Sequence, residues 1–122
     1  MMKKLTSIFI FLFIVGAVFL RAHSPSDIKV QFLSEENLLK LEIIHSVSNA
    51  QKHFVKEINI KLNDEDIIWQ KLNQQNDKNS LQLQYYIIDA SIGDKLTISA
   101  DCNKFGKETI EYKIKDNEIK EK

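Results

Sequence analysis

The sequence predicts an all-β fold, a sandwich of about seven strands, and three observations support this prediction. Apolar and polar residues alternate in short runs, polar turn clusters separate the runs, and stretches with helical spacing are few in the region after residue 22. Each alternating run has one apolar face, and two sheets bury such faces against each other in a sandwich.

The first three predicted strands lie between residues 28 and 62. The first has one apolar face with the residues Ile28, Val30 and Phe32. The second has a face with Leu39, Leu41, Ile43 and His45. The third is predicted to place Phe54, Ile58, Ile60 and Leu62 on one face, opposite Val55, Glu57, Asn59 and Lys61.

Four further strands are predicted in the second half of the chain. A turn at 63–66 indicates a hairpin into Ile67, Ile68 and Trp69, and a polar loop at 74–80 precedes the next strand. The later alternating faces contain Leu81, Leu83, Tyr85 and Ile87, then Leu96, Ile98 and Ala100, then Ile110, Tyr112 and Ile114. Seven short strands of this kind are typical of an immunoglobulin-like sandwich.

The N-terminus has the order of features that a signal segment requires. A positive start at Lys3 and Lys4 precedes the uncharged apolar run 5–20, and cleavage after Ala17 or after Ala22 fits the small residues there. The run has 16 residues, whereas a spanning helix needs about 20. We therefore expect export to the periplasm or another extracytoplasmic space, the alternative being a membrane tether through residues 5–20.

The chain therefore divides into a signal segment or N-terminal membrane segment at 1–22, a sandwich domain at 23–115 and a charged tail at 116–122. Removal of residues 1–22 takes away three basic residues and no acidic one, which leaves a net charge of about −3. Nucleic-acid partners normally require a basic surface, so this charge argues against them. Membrane contact is expected only through an uncleaved N-terminal segment.

The residues with metal-binding chemistry are few: three histidines and a single cysteine. His45 ends an apolar strand face, His53 opens the next strand, Cys102 ends a later strand, and His23 lies just before the first strand. Consecutive strands joined by a loop bring His45 and His53 near the same end of the sandwich. With Cys102 at a strand end and His23 at a strand start, all four are candidate ligands of a shared metal at one rim. Imidazole and thiolate donors suit iron, copper and zinc.

Three short segments of the sequence carry a resemblance to a known family. The stretch 45–55 has a histidine, a loop, and then a histidine, an aromatic and an aliphatic residue; the stretch 100–106 contains Cys-Asn-Lys-Phe-Gly; and Ala-His-Ser-Pro occupies 22–25. In order and rough spacing these segments resemble the ligand segments of superoxide reductases (neelaredoxin and the iron domain of desulfoferrodoxin). The resemblance extends over nearly all of 23–115.

The resemblance implies a mononuclear iron site and an immunoglobulin-like sandwich. By position, His23, His45 and His53 are the equatorial ligands and Cys102 is the axial thiolate. The implied reaction is one-electron reduction of superoxide to peroxide, with superoxide and an electron donor as partners. Iron supplies the electron in that chemistry, and the protein supplies ligation and access.

The sequence departs from the family pattern at several positions. Phe105 stands where the family has its fourth histidine, Ala22 replaces the lysine before the first histidine, and the spacing from His45 to His53 is longer. Family members with all the ligands are mostly cytoplasmic, whereas this chain is predicted to be exported. These departures leave the metal open among iron, zinc and copper.

Two alternatives to a reductase-type protein follow from the same residues. Cleavage after Ala22 makes His23 the new N-terminus, whose amine and imidazole chelate copper together with His45 or His53. The other alternative is a metal-free sandwich used for interaction, because a fold does not determine a function.

Overall fold

The structure, a computed structural model, describes residues 24–116, which form seven strands and no helix. The strands are β1 (Asp27–Leu33), β2 (Leu38–Ile44), β3 (Val55–Leu62), β4 (Glu65–Lys71), β5 (Ser80–Tyr86), β6 (Lys95–Cys102) and β7 (Lys107–Lys113). The all-β prediction and the predicted strand number are confirmed. The predicted signal segment, His23 and residues 117–122 of the predicted tail lie outside the described residues.

The strands form two antiparallel sheets, one with the order β1-β2-β5 and the other with the order β4-β3-β6-β7. The chain moves to the second sheet after β2, returns for β5, and crosses again to β6. This alternation of long connections between sheets is typical of an immunoglobulin-like sandwich. Residues 24–116 contain no helix with the length and apolar character needed to cross a bilayer.

The core lies between the two sheets and follows from the alternating sequence pattern. In β6, burial alternates residue by residue, so Leu96, Ile98, Ala100 and Cys102 all point inward. The largest side chains that are almost fully buried come from both sheets and from the segment after β7: Phe32, Leu39, Ile43, Ile58, Ile60, Leu96, Ile98, Ile114 and Val55. Each fully buried side chain of this kind contributes roughly 1.5–3 kcal/mol through the hydrophobic effect.

A β-bulge near the start of β3 changes which residue points inward. Val55 pairs with Cys102, but the next paired residue of β3 is Glu57, which faces Asp101. Lys56 is therefore an extra residue on this strand, and Val55 is on the buried side, with 0% of its surface exposed. The prediction that Val55 lies opposite Ile58 was wrong, because strict alternation cannot account for an inserted residue.

The turn between β3 and β4 is a two-residue hairpin loop. Leu62 pairs with Glu65, and the two residues between them have positive φ angles, 50° at Asn63 and 72° at Asp64. Positive φ at both central positions matches the twist of antiparallel strands, and Asn and Asp tolerate it best after glycine. The predicted hairpin is confirmed, and β4 begins two residues earlier than predicted.

Candidate metal centre

Three of the four predicted ligands meet at one end of the sandwich. His45 directly follows β2, His53 lies two residues before β3, and Cys102 is the last residue of β6. Because β3 and β6 are antiparallel neighbours, the end of β6 lies beside the start of β3, where Val55 pairs with Cys102. Strand pairing thus places His53 beside Cys102, and His45 reaches the same end of the sandwich from β2 of the other sheet.

The donor atoms of His45, His53 and Cys102 all lie within 4.8 Å of one another. The Nε2 atom of His53 is 3.1 Å from the Sγ atom of Cys102, and the two imidazole rings stand edge to face with centroids 4.9 Å apart. Ligands bound at about 2.0–2.3 Å to one ion lie roughly 3–4.5 Å from each other. The three side chains therefore need little movement to share an ion.

The cluster is sheltered from solvent. His45 is 2% exposed and Cys102 is 3% exposed, whereas His53 is half-buried. Burial of polar groups costs free energy unless they are bonded to a partner. The side chains here meet one another and a buried amide, Gln75, whose Oε1 atom lies 2.5 Å from Nδ1 of His45.

The segment after β6 bends back on Cys102. The N–H group of Lys104 donates to Sγ of Cys102 at 3.3 Å, and the N–H group of Cys102 donates to the carbonyl oxygen of Gly106 at 2.9 Å. These two bonds hold Cys102 in a tight turn whose backbone N–H group points at Sγ, an arrangement compatible with a metal-bound thiolate.

Asn103 fixes this segment to the one that contains His53. Its Oδ1 atom accepts the N–H of Phe54 at 2.9 Å, its Nδ2 atom donates to the carbonyl of Lys52 at 3.0 Å, and its own N–H donates to the carbonyl of Phe54 at 2.9 Å. These three bonds surround His53 on both sides along the chain. The distance between His53 and Cys102 is thereby set by the backbone.

The connection from β2 to β3 is shaped by Asn49 and Ala50. The carbonyl of Asn49 accepts the N–H of His53 at 2.9 Å, and the Oδ1 atom of Asn49 accepts the N–H of Gln51 at 2.9 Å. Such side-chain bonds two residues along are typical of asparagine in turns. The carbonyl of Ala50 accepts the N–H of Gln75, so this connection is also tied to the loop before β5.

The fourth predicted ligand, His23, lies outside the described residues. Ser24, which follows it in the sequence, packs against Gly106: a Cβ atom placed on Gly106 would lie 2.5 Å from the Cβ of Ser24. Phe105 is 47% exposed and has no atom that binds a metal.

Sequence reasoning missed one residue of the cluster, Gln75. The polar loop 74–80 was predicted correctly, but every residue in it has a polar or small side chain, so nothing in the pattern distinguishes Gln75 from its exposed neighbours. Only the three-dimensional structure shows that Gln75 is 4% exposed.

The arrangement combines two imidazoles and one thiol in a mostly buried position, a donor set that fits iron, zinc or copper. No family model and no curated protein matches this chain. Its function is therefore argued from its own residues.

Proposed function

We propose that the domain binds one metal ion through His45, His53 and Cys102. The observation that carries this proposal is that their donor atoms all lie within 4.8 Å of one another. His45 and His53 come from the two ends of the connection between β2 and β3, and Cys102 comes from the end of β6. Hydrogen bonds of Asn103, Asn49 and Gln75 support these segments. Residues that support metal ligands in this way are characteristic of metal sites.

Iron is the metal we propose, in a protein of the superoxide-reductase type. Two supports come from the chain itself: a mixed imidazole and thiolate set suits iron, and the resemblance at 45–55 and 100–106 extends over the same residues that meet in the cluster. His23 is proposed as a third imidazole, because it is bonded to Ser24 and Ser24 packs against Gly106, beside Cys102. Phe105 offers no donor, so the chain supplies at most three imidazoles and one thiolate.

The proposed activity is one-electron reduction of superoxide to peroxide in an extracytoplasmic compartment. Ferrous iron would supply the electron, and a separate donor would restore it. The chain's own part is to hold the donors and shield them from bulk water, because His45 and Cys102 are almost fully buried. The N–H of Lys104 donates to Sγ of Cys102, the atom that would donate electron density to the iron.

The test is the metal content of the mature protein, purified without oxygen. We expect about one iron per chain and a visible thiolate-to-iron band that Cys102→Ser abolishes. His45→Ala and His53→Ala should each weaken iron binding by more than the roughly 10–100-fold that loss of a supporting partner causes. Ser46→Ala, an exposed neighbour of His45, is the matched control and should bind as the wild type does.

The same experiment separates the alternatives. Copper binding that is indifferent to Cys102→Ser, and lost when one residue is added before His23 in the mature chain, would replace the iron proposal with the copper one. A wild-type protein that takes up no iron, zinc or copper, and whose melting temperature none of them raises, would leave a metal-free interaction domain.

A further inference from the structure

Gln75 is a buried amide in a loop that is otherwise open to solvent. It is 4% exposed, whereas Asn73, Gln74, Asn76 and Asp77 are all exposed. Burying a primary amide is unfavourable unless its donors and acceptor are all bonded. Its place in the fold therefore depends on the partners it meets there.

The hydrogen bonds of Gln75 fix the orientation of its amide. Its Nε2 atom donates to the carbonyl oxygens of His45 at 3.1 Å and Asp77 at 3.0 Å. Its Oε1 atom accepts the N–H of Val55 at 3.1 Å. Carbonyls only accept and a backbone N–H only donates, so both ends of the amide require the same orientation, and a flipped amide would lose all three bonds.

This orientation determines the tautomer of the neutral His45 ring. The Oε1 atom of Gln75 lies 2.5 Å from Nδ1 of His45 and carries no hydrogen, so Nδ1 must be the donor. A neutral imidazole has one N–H and one lone pair, and its tautomer is set by the hydrogen bond that one nitrogen makes. With the proton on Nδ1, the lone pair is on Nε2.

We infer that Gln75 is a positioning residue that holds His45 in the tautomer with Nε2 as the metal-binding nitrogen. The inference rests on the proposed metal site. Gln75 also fixes the ring's direction, because the same amide bonds the backbone of His45 and the first residue of β3. The loop 72–79 is thereby part of the metal centre, although it supplies no ligand.

The test uses two substitutions that separate positioning from stability. Gln75→Glu keeps an oxygen acceptor for Nδ1 of His45 and for Val55, whereas Gln75→Met keeps the length and removes the acceptor. Both lose the amide donors to the carbonyls of His45 and Asp77, so both should lower the melting temperature. Gln74→Met, at an exposed position in the same loop, is the matched control.

The first readout is the tautomer of His45 in the metal-free protein, measured by nitrogen-15 NMR of the ring. We expect the Nδ1–H form in the wild type, Gln74→Met and Gln75→Glu, and a mixture of tautomers in Gln75→Met. The second readout is metal affinity, measured with ferrous iron or cobalt(II). Gln75→Met should bind about 10–100-fold more weakly than the wild type, and Gln75→Glu should recover most of that loss.

Three results would overturn the inference: an Nε2–H tautomer in the wild type, the same tautomer in Gln75→Met as in the wild type, or equal losses of affinity in the Glu and Met variants. The tautomer of His45 in the wild type tests the inference even if a variant fails to fold. A wild type that shows the Nδ1–H tautomer but takes up no metal would refute the proposed metal site while upholding the control of the ring by Gln75.

Discussion

Glycine is required at position 106 for two separate reasons. Its φ angle is +96°, a conformation that residues with a Cβ atom rarely adopt, and a Cβ atom there would lie 2.9 Å from Cα and 2.5 Å from Cβ of Ser24. Gly93 has the same φ angle, but nothing lies within 4 Å of the place where its Cβ would be. A substitution at Gly93 would introduce backbone strain alone, whereas one at Gly106 would introduce both backbone strain and a steric clash.

Gly106→Ala should destabilise the domain more than Gly93→Ala. Gly93→Ala should cost about 1–2 kcal/mol of unfolding free energy through backbone strain alone. Gly106→Ala should add roughly 1–3 kcal/mol through overpacking against Ser24. Chemical denaturation of both variants measures the difference.

Metal affinity provides a second comparison between these glycines. Gly106→Ala displaces Ser24 and disturbs the hydrogen bond from Cys102 to the carbonyl of residue 106, so it should also weaken metal binding, whereas Gly93→Ala should not. Equal costs of unfolding in the two variants would show that the contact with Ser24 contributes nothing.

The candidate ligand residues could be predicted from the sequence, but the contacts that support them could not. Strand ends are visible in the alternating pattern, and the loop from His45 to His53 joins consecutive strands, so the meeting of His45, His53 and Cys102 at one end of the sandwich was predictable. Gln75 was not predictable, because its importance depends on a contact with His45 across 30 positions of sequence. His23 stays a prediction.

The loop between β4 and β5 is held as a unit along the segment that contains His45. The N–H groups of His45 and Val47 donate to the carbonyls of Asn79 and Lys78, at 3.0 Å and 2.8 Å. Within the loop, Oδ1 of Asp77 accepts the N–H groups of Asn79 at 2.7 Å and Ser80 at 2.9 Å. These bonds favour the charged carboxylate and lower the pKa of Asp77.

Because the pKa of Asp77 is lowered, the stability of this loop should decrease at acidic pH. The carboxylate contributes stability above the ordinary Asp pKa of 3.8, and this contribution is lost as the pH falls through the lower folded-state pKa. Asp77→Ala should therefore lower the melting temperature at neutral pH, and the gap to the wild type should close in strong acid. Thermal unfolding at a series of pH values measures this gap.

Asp89→Ala, at another exposed aspartate, is the control for this loss of charge. A gap between Asp77→Ala and the wild type that stayed constant down to pH 2 would mean that the carboxylate's hydrogen bonds do not stabilise the loop.

At the scale of strands, the sequence predicts regular elements and misses irregular ones. Six of the seven strands follow from alternation, and the polar cluster at 63–66 indicates the hairpin into the fourth. The bulge at Lys56 was missed, because strict alternation over 54–62 puts Val55 opposite Ile58, and only the pairing of Val55 with Cys102 reveals the inserted residue. Which strands pair, and therefore which residues meet at the site, depends on the whole sandwich and cannot be predicted from one strand alone.

Tyr85 joins the two sheets of the molecule. It lies on β5 of one sheet, and its hydroxyl group donates to Oε1 of Gln70, on β4 of the other sheet, at 2.5 Å. Burial disfavours the phenolate and raises the pKa of Tyr85 to about 12. The fold therefore favours the neutral phenol of Tyr85 over the phenolate.

The raised pKa of Tyr85 predicts that the sandwich weakens in alkali. The stability linked to this group is fully present below the ordinary value of 10.0 and is lost as the pH rises through about 12. Absorbance titration of phenolate should show one late tyrosine, which Tyr85→Phe removes. Tyr86→Phe, at a side chain that is 65% exposed, should leave the late titration step in place. Loss of that step in Tyr86→Phe would contradict its assignment to Tyr85.

The cluster of His45, His53 and Cys102 spans the two sheets, because His45 directly follows β2 of one sheet and Cys102 ends β6 of the other. In antibody domains a disulfide bond between the same two strands, the second and the sixth, links the two sheets covalently. This chain has a single cysteine and cannot form an intramolecular disulfide bond. An ion shared by His45 and Cys102 would be a reversible cross-link between the same two strands. A chelator, with no reductant, would then remove this cross-link and destabilise the sandwich. Faster hydrogen exchange in β2 and β6 would reveal that loss of stability.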